Sequence, residues 1–326
     1  MVVAHVQLFT DVRTAGHLPP GHPERPERID AVVAGITDGA AEAGVGLERP
    51  AVVSAQAATL ELIHPARYVE LLDDAARQGG GWIDGDTYIG PDSMVAARLA
   101  AGATIQAAVA AARGEATVAF AAVRPPGHHA RRERAAGFCL LNNVAIAAAA
   151  LRAEGLAQRI AIVDWDVHHG DGTQAIFDAD PDLCYASTHQ MPLYPGTGDP
   201  SERGSGAAIG TKHNVGLPPG SGDQAFMDAW LGELLPAVEA FGPEAILVSA
   251  GYDAHRLDPL AGLEVTAAGY QSVAEALGRT ARQLGVWGVA LTLEGGYDLG
   301  ALRESAAATV AGLLSGLGGS TGGNGA

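Results

Sequence analysis

The sequence is poor in cysteine and in basic side chains. Cys139 and Cys184 are its two cysteines, which excludes a disulfide-rich scaffold and favours two separate thiols over a disulfide. Lys and Arg number 20 against 37 Asp and Glu, for a formal net charge of −17. Because nucleic-acid phosphates require a basic surface, this charge argues against direct nucleic-acid binding. It favours cationic partners by long-range attraction.

The amino-acid sequence also shows no pattern typical of a membrane span or a secretion signal. We find no apolar run near the roughly 20 residues of a membrane span, and residues 1–9 predict a first strand rather than a secretion leader. We therefore expect a cytoplasmic protein with no membrane partner. The sequence has no serine nucleophile elbow, phosphate loop or dinucleotide fingerprint, since Gly79-Gly-Gly81 lacks the strand–helix context.

Apolar strands alternate with helices, which predicts an α/β fold whose parallel sheet is covered by helices on both faces. The predicted strands are 1–9, 52–53, 117–123, 160–167, 183–187, 245–249 and 287–293. The predicted helices are 29–43, 59–76 (interrupted near Pro65), 93–113 (with Ser93 as the N-cap), 142–153, 173–178, 223–241, 266–284 and 300–315. We expect a loop over 78–92, a single domain over 1–315 and a disordered glycine-rich tail over 316–326.

The most informative stretch is Ile160-Ala-Ile-Val-Asp-Trp-Asp-Val-His-His-Gly-Asp-Gly172, where an apolar strand ends in carboxylates and imidazoles. Residues i and i+2 of an extended chain point to the same side, so Asp164, Asp166 and His168 share one face. A carboxylate and an imidazole placed in this way can bind one divalent ion, for example zinc. Asp253, on a glycine-flanked turn, is the best candidate for a third ligand, although a turn or N-cap role also suits a lone aspartate.

Two adjacent histidines, His128 and His129, follow an Arg-Pro-Pro-Gly turn after a predicted strand. Ligands of parallel sheets bind at the carboxyl ends of the strands, where this pair and the acidic cluster both lie. A general base needs a pKa near the working pH, and a carboxylate partner fixes the tautomer of an imidazole. Asp164 and Asp171 are not needed by the metal, so each can orient one of the two imidazoles.

For the other polar residues near the strand ends, the sequence is compatible with a structural role, and for some of them with a functional role as well. Tyr297, on the glycine turn after the last strand, can donate to a developing oxyanion or simply pack over the turn. His169 is interpreted as a residue that supports the site residues or as a structural one, and Asp258, before Pro259, as a turn residue. The run Arg131-Arg-Glu-Arg134 is interpreted as a solvated loop.

Five segments carry a family resemblance. They are Arg124-Pro-Pro-Gly-His-His-Ala130, Gly137-Phe-Cys-Leu-Leu-Asn142, Val163-Asp-Trp-Asp-Val-His-His-Gly-Asp-Gly172, Ser249-Ala-Gly-Tyr-Asp253 with Asp258-Pro259, and Glu294-Gly-Gly-Tyr297. They resemble the zinc-dependent histone deacetylase family, most closely its class II branch and the bacterial deacetylase-like and acetylpolyamine amidohydrolases. The resemblance implies the single-domain arginase/deacetylase fold with a parallel sheet of about eight strands. It also implies one zinc ion per chain, with the ligands Asp166, His168 and Asp253.

The resemblance further implies a catalytic role for each of five residues. His129, paired with Asp171, matches the general base that activates water and then protonates the leaving amine. His128, paired with Asp164, matches an electrostatic partner. Tyr297 matches the tyrosine that polarises the scissile carbonyl together with zinc.

Substrate positions follow from the same resemblance. Phe138 and Tyr194 match the aromatic pair of an acyl-lysine tunnel, and Gly137 matches its wall. Asp86 falls where relatives hold the substrate backbone, and Arg28 resembles the arginine of an acetate exit path. A structural potassium site is implied at carbonyl or side-chain oxygens of Asp164, Asp166, His168, Ser187 and Thr188.

Three alternatives remain open at this point. A binuclear manganese hydrolase of the arginase kind would need carboxylates at Gly170 and Gly251, so one metal is favoured. The substrate is acetyl-lysine in proteins or peptides, or instead an acetylpolyamine or another small acetylated amine. Leu260 stands where a polyamine-selective relative carries glutamate, although Glu264 is close by. A non-catalytic acyl-lysine binder would have lost a site residue, and an oligomer is compatible with the sequence.

Overall fold

The computed structural model describes residues 4–318 and shows a parallel sheet between two layers of helices. The strands of this sheet are β1 His5–Phe9, β2 Gly46–Glu48, β5 Val118–Ala121, β6 Ile160–Asp164, β7 Leu183–Gln190, β8 Lys212–Leu217, β9 Ala245–Ala250 and β10 Val289–Leu293. Within the described residues, these eight strands lie in the order β2-β1-β5-β10-β9-β6-β7-β8, with all neighbours parallel. A separate antiparallel hairpin consists of β3 Gly81–Trp82 and β4 Tyr88–Ile89. The predicted fold class is confirmed.

Helices fill the connections between the strands, as the parallel arrangement requires. They are α1 Glu27–Glu42, α2 Ala57–Leu60, α3 Ala66–Arg77, α4 Ser93–Ala112, α5 Asn143–Ala153, α6 Asp171–Phe177, α7 Asp223–Ala229, α8 Leu235–Phe241, α9 Ala267–Gln283 and α10 Leu299–Gly318. Side-chain caps fix two of their N-termini, because Asn142 accepts from the amide of Ala145 and Thr266 from that of Ala268.

Two hydrophobic cores lie on opposite faces of the sheet, because successive side chains of a strand point to opposite sides. In β9, Ile246 and Val248 belong to one core, while Leu247 belongs to the other. In β10, Leu291 and Ala290 divide in the same way. Burial on both faces explains why the central strands are continuous apolar runs.

Helix α4 corrects the statement that no apolar segment approaches the length of a membrane span. Its 20 residues are long and apolar enough to cross a membrane by length and composition. However, 72% of the apolar window is buried inside the protein. It packs on α5 and on the central strands, so its apolar character is that of a core helix.

Several predicted elements differ from the structure at the sheet edge and at helix ends. The strand expected at 52–53 is wrong, because β2 lies at Gly46–Glu48 beside β1. Strand β8 was missed, since its polar residues do not form an apolar run. The helix expected over 223–241 contains a π-helical turn at Trp230–Leu234. Ser93 is not the N-cap of α4, because Asp92 occupies that position.

The long loop and the tail also differ in part from expectation. The loop over 78–92 includes the β3–β4 hairpin. Helix α10 continues to Gly318, so the first three residues of the expected tail are helical. The remaining tail, 319–326, lies outside the described residues.

Candidate active site

Polar residues from four neighbouring strands meet at the carboxyl edge of the sheet. The strands β5, β10, β9 and β6 are consecutive in the sheet. The segments that follow them carry residues 124–129, 294–297, 251–258 and 164–171. Because parallel strands end at the same edge, residues far apart in sequence come together where sheets of this kind bind ligands.

Asp166, His168 and Asp253 form a compact cluster of metal ligands. One ligand atom from each lies within 4.8 Å of the others, and His168 Nδ1 is 3.1 Å from both Asp166 Oδ1 and Asp253 Oδ2. Backbone amides orient the carboxylates, because Val167 donates to Asp253 Oδ1 at 2.8 Å and Gly295 to Asp166 Oδ2 at 2.7 Å. Two distant segments thus assemble the predicted three-residue metal site.

The electrostatics of this cluster fit a bound divalent cation. Burial and the nearby charge of Asp166 raise the pKa of Asp253. Burial opposes a charge on His168, yet its hydrogen bonds to Asp166 and Asp253 raise its pKa to about 10. The two buried carboxylates therefore favour a positive charge at this position, which a divalent metal bound to them and to the neutral imidazole would supply.

Glycines stand at the two positions where a second metal would need carboxylates. A Cβ at Gly170 would lie 2.7 Å from the hydroxyl of Tyr185. A Cβ at Gly251 would lie 2.6 Å from the Cβ of Asp166. Any side chain at either position would displace a residue of the site, so the packing favours one metal.

The two adjacent histidines each contact one carboxylate. His128 Nδ1 lies 3.1 Å from Asp164 Oδ2, and His129 Nδ1 lies 2.9 Å from Asp171 Oδ1. The imidazole ring centroids are 4.0 Å apart. Glu294 holds the turn that carries them, because its Oε2 accepts from the amides of Gly127 (2.6 Å) and His128 (3.1 Å). Both Nε2 atoms are thereby left free of these carboxylates.

The surroundings shift the pKa values of the two imidazoles in opposite directions. Burial disfavours a charged His128, but the carboxylates of Asp166 and Asp164 raise its pKa well above the ordinary value. Burial and the neighbouring His128 lower the pKa of His129 to about 3. The imidazole of His129 is therefore neutral near neutral pH and can accept a proton, while the carboxylates around His128 favour its charged form.

Tyr297 is held at the edge of the same cluster by its backbone. Its amide donates to Asp258 Oδ2 at 2.7 Å, and the guanidinium of Arg28 lies 4.9 Å from its ring centroid. Burial raises the pKa of its phenol well above the ordinary value, so the hydroxyl keeps its proton and can donate. Asp258 is therefore more than a turn residue, because it anchors the loop of Tyr297.

All five predicted substrate positions line one cavity. Its volume is about 230 Å³, and Asp86, Gly137, Phe138, Tyr194 and Leu260 form its walls and rim together with His128, His129, Asp166, His168 and Tyr297. The ring of Phe138 lies 5.9 Å from that of Tyr297, and the ring of Tyr194 lies 5.2 Å from that of His129. A narrow aromatic passage thus leads to the metal site.

Arg28 lies behind this cavity and is fully buried. Its guanidinium donates to Glu24 Oε1 at 2.9 Å, to the carbonyl of Gly296 at 2.6 Å and to the carbonyl of Glu294. These contacts join Arg28 to the turn that carries Tyr297. Arg28 does not appear among the described residues that line the cavity.

The residues predicted for a potassium site lie close to the metal cluster. Asp164 pairs in register with Ser187 across β6 and β7, and its Oδ1 accepts from the amide of Asp166 at 3.2 Å. Ser187 Oγ contacts His189 Nδ1 at 3.1 Å, and Thr188 Oγ1 accepts from the indole of Trp230 at 3.0 Å. The side chains of Ser187 and Thr188 are buried.

Arg131 corrects the interpretation of residues 131–134 as a purely solvated loop. Its Nε and Nη2 atoms donate to Asp171 Oδ2 at 3.0 and 2.8 Å. The two residues are 40 positions apart, so sequence reasoning does not reveal the pair.

Comparison with known proteins gives a consistent family. A family model described as the histone deacetylase domain matches residues 22–313. The "Probable deacetylase" of Archaeoglobus fulgidus is 43% identical over 284 residues, which cover 86% of this chain and 77% of that protein.

Solved structures agree in fold over nearly the whole chain. The crystal structure of the HDA15 HD domain has a TM-score of 0.86 and 37% identity, and the match covers 95% of this chain and 88% of that one. The acetylpolyamine aminohydrolase from Burkholderia pseudomallei has a TM-score of 0.85 and 29% identity, with coverages of 95% and 99%.

Proposed function

Since the chain belongs to the histone deacetylase family, we propose that this deacetylase removes acetyl groups from the ε-amine of acetyl-lysine in proteins or peptides, with zinc as its metal. One observation carries the proposal. Two members of the metal triad, Asp166 and His168, line one aromatic-walled cavity of about 230 Å³ together with His129 and Tyr297. A flat, extended acyl-lysine side chain suits a passage between the rings of Phe138 and Tyr194.

The triad would hold zinc through the two carboxylates and the imidazole described above. When bound, zinc supplies a Lewis acid for an amide carbonyl and makes water acidic enough to react near neutral pH. The remaining steps belong to side chains of the chain. Phe138 and Tyr194 align the substrate and exclude bulk water from the reacting amide.

His129 accepts the proton of the attacking water at Nε2, while Asp171 holds its Nδ1 proton. The same imidazole then gives that proton to the departing lysine amine. His128, whose pKa the neighbouring carboxylates raise, is its electrostatic partner and stabilises negative charge that develops at the carbonyl. Tyr297 keeps its proton and donates a hydrogen bond to that oxygen, and acetate leaves, as we propose, past Arg28.

A substitution of the proposed base should affect turnover but not metal binding. His129→Ala should abolish turnover while metal content stays at that of the wild type. Unchanged turnover in this variant would refute the assignment of the base.

The cavity rim supports acetyl-lysine over an acetylpolyamine. Leu260 lines the rim with an apolar side chain that is 37% exposed, at the position where a glutamate would recognise a polyamine amine. Glu264 is absent from the described residues that line the cavity, and its amide bonds to the carbonyl of Ser221. The identity to the HDA15 domain also exceeds that to the acetylpolyamine enzyme.

Side-by-side values of kcat/KM on an acetyl-lysine peptide and on acetylputrescine test this choice. The wild type should prefer the peptide, and Leu260→Glu should shift the ratio toward acetylputrescine. A wild-type preference for acetylputrescine would refute the substrate proposal but leave the deacetylase assignment intact.

We also propose that potassium binds at Asp164, Asp166, His168, Ser187 and Thr188. The support is that Asp164 and Ser187 are register neighbours across β6 and β7, and that the side-chain oxygens of Asp164, Asp166, Ser187 and Thr188 are buried. Oxygen ligands suit hard cations. Activity and melting temperature should then rise when KCl replaces tetramethylammonium chloride at equal ionic strength. Equal values in both salts would contradict the site.

A further inference from the structure

A second cavity lies on the far side of the His129–Asp171 pair from the substrate passage. Its volume is about 320 Å³, and its lining includes Arg131, His169, Asp171, Thr197 and Glu202. His129 lines the substrate cavity instead. Asp171 therefore stands between the two cavities, with one oxygen directed to each side.

The two oxygens of Asp171 have different partners. Oδ1 contacts His129 Nδ1 at 2.9 Å, and Oδ2 accepts from Arg131 Nε at 3.0 Å and Nη2 at 2.8 Å. Two donors on one oxygen fix the rotation of the carboxylate about its Cβ–Cγ bond. The remaining oxygen is then presented to the imidazole in one direction.

Burial makes the second partner of Asp171 important. The side chain of Asp171 is only 9% exposed, while that of Arg131 is 43% exposed and reaches it from the second cavity. A buried carboxylate with one neutral imidazole as its partner would be poorly compensated. A water molecule from the second cavity would then compete for it, and the imidazole would lose its fixed orientation.

We propose that Arg131 is a positioning residue for deacetylation, which clamps Asp171 from the second cavity and so fixes the orientation of His129. This inference rests on the proposed function, because His129 is the base of that reaction. Arg131 contacts neither the metal triad nor the substrate passage among the described residues. Its loss should therefore lower the rate of the chemical step and leave substrate binding unchanged.

Arg131→Ala tests the clamp, and Arg134→Ala is the matched control. Arg134 lies in the same turn, is exposed and carries the same charge, and the two backbones bond to each other. Arg131→Ala should lower kcat on an acetyl-lysine peptide on the order of 10- to 100-fold, with KM unchanged. Arg134→Ala should match the wild type in both constants.

Chemical rescue separates positioning from a general loss of structure. The second cavity is open enough to admit a small guanidinium ion beside Asp171. Ethylguanidinium, well below denaturing concentrations, should restore part of the kcat of Arg131→Ala but not affect the wild type. Arg131→Lys should be intermediate, because an ammonium can contact the carboxylate without the two-donor geometry. If Arg131→Ala does not fold, the kcat and KM of Arg131→Lys and Arg131→Gln are compared with those of the wild type and Arg134→Ala instead.

A readout without substrate keeps this inference distinct from the proposed function. The Nδ1 proton of His129 should give a downfield NMR signal, assigned by its loss in His129→Ala. This signal should shift or broaden in Arg131→Ala and remain in Arg134→Ala. Wild-type protein without deacetylase activity would refute the proposed function, whereas the NMR comparison would still test the clamp.

The clamp is overturned by any of three results. They are a kcat of Arg131→Ala equal to or above that of the wild type, a loss confined to KM, and an unchanged His129 signal together with no rescue.

Discussion

Substituting Gly137 by alanine should remove activity through a single methyl group. Gly137 has φ of +54°, and a Cβ there would lie 2.7 Å from His129 Cγ and 3.0 Å from His129 Cβ. Carbon atoms in contact prefer about 3.5–4.0 Å. The imidazole of His129 must therefore move by about 1 Å, and a displacement of this size can cost about 100-fold in rate.

Gly155→Ala provides the matched control. Gly155 has φ of +68°, close to that of Gly137, but a Cβ there meets no atom within 4 Å. Both variants should lose about 1–2 kcal/mol of the free energy of unfolding, because alanine is strained at positive φ. Only Gly137→Ala has the additional overlap with His129, for which crowding typically costs about 1–3 kcal/mol more.

The assay is kcat on an acetyl-lysine peptide together with urea unfolding of each variant. We expect Gly155→Ala to have wild-type kcat and Gly137→Ala to have a kcat lower by about 100-fold. The reasoning is refuted if Gly137→Ala turns over at the wild-type rate. It is refuted also if Gly155→Ala loses as much activity, since backbone strain alone would then explain the effect.

Three further predictions concern the phenol, the metal and a buried carboxylate. Tyr297→Phe should lower kcat by about 10²–10³-fold with little change in KM, because one donor to the oxyanion is lost; a proportionate rise in KM would argue for substrate binding instead. Asp253→Asn should lose the metal, as measured by elemental analysis after dialysis, whereas Asp258→Asn should keep it; equal metal content in both would contradict the ligand set. Two buried arginines oppose the effect of burial and lower the pKa of Glu24 to about 2, so this carboxylate should add about 3 kcal/mol to the free energy of unfolding at neutral pH. Because the folded-state pKa is the lower one, this contribution is present above pH 4.5 and is lost as the pH falls toward 2; the difference in stability between wild type and Glu24→Gln should shrink over that range, and a constant difference would show that the carboxylate is not the cause.

Much of the fold could be predicted because its signals are local. Central strands such as β6 and β9 are buried on both faces, so they are continuous apolar runs that stand out in the sequence. Strand β8 has a neighbour on one side only, and its polar residues hide it. Strand β2 has three residues, of which only Leu47 is partly buried, so it carries almost no pattern.

The residues of the candidate site also differ in how far the sequence alone predicts their positions. The spacing of Asp166 and His168 follows from the two-residue period of an extended chain, so the sequence alone placed them on one face. The residues around Asp253 in the sequence are compatible with two roles, a metal ligand or a turn residue. Its distance to His168 decides between them, and that distance depends on β6 and β9 being neighbours in the sheet.

What the sequence by itself determined is the chemistry available: an α/β chain with carboxylates, imidazoles and a phenol at the ends of its strands. Tertiary structure alone decided which of these groups touch. The contact of Arg131 with Asp171 joins residues 40 positions apart, and the overlap that forbids a Cβ at Gly137 depends on the ring of His129. The physical reason is that periodicity and turn chemistry act over a few residues, whereas such contacts follow from the order of strands and the packing of their connections.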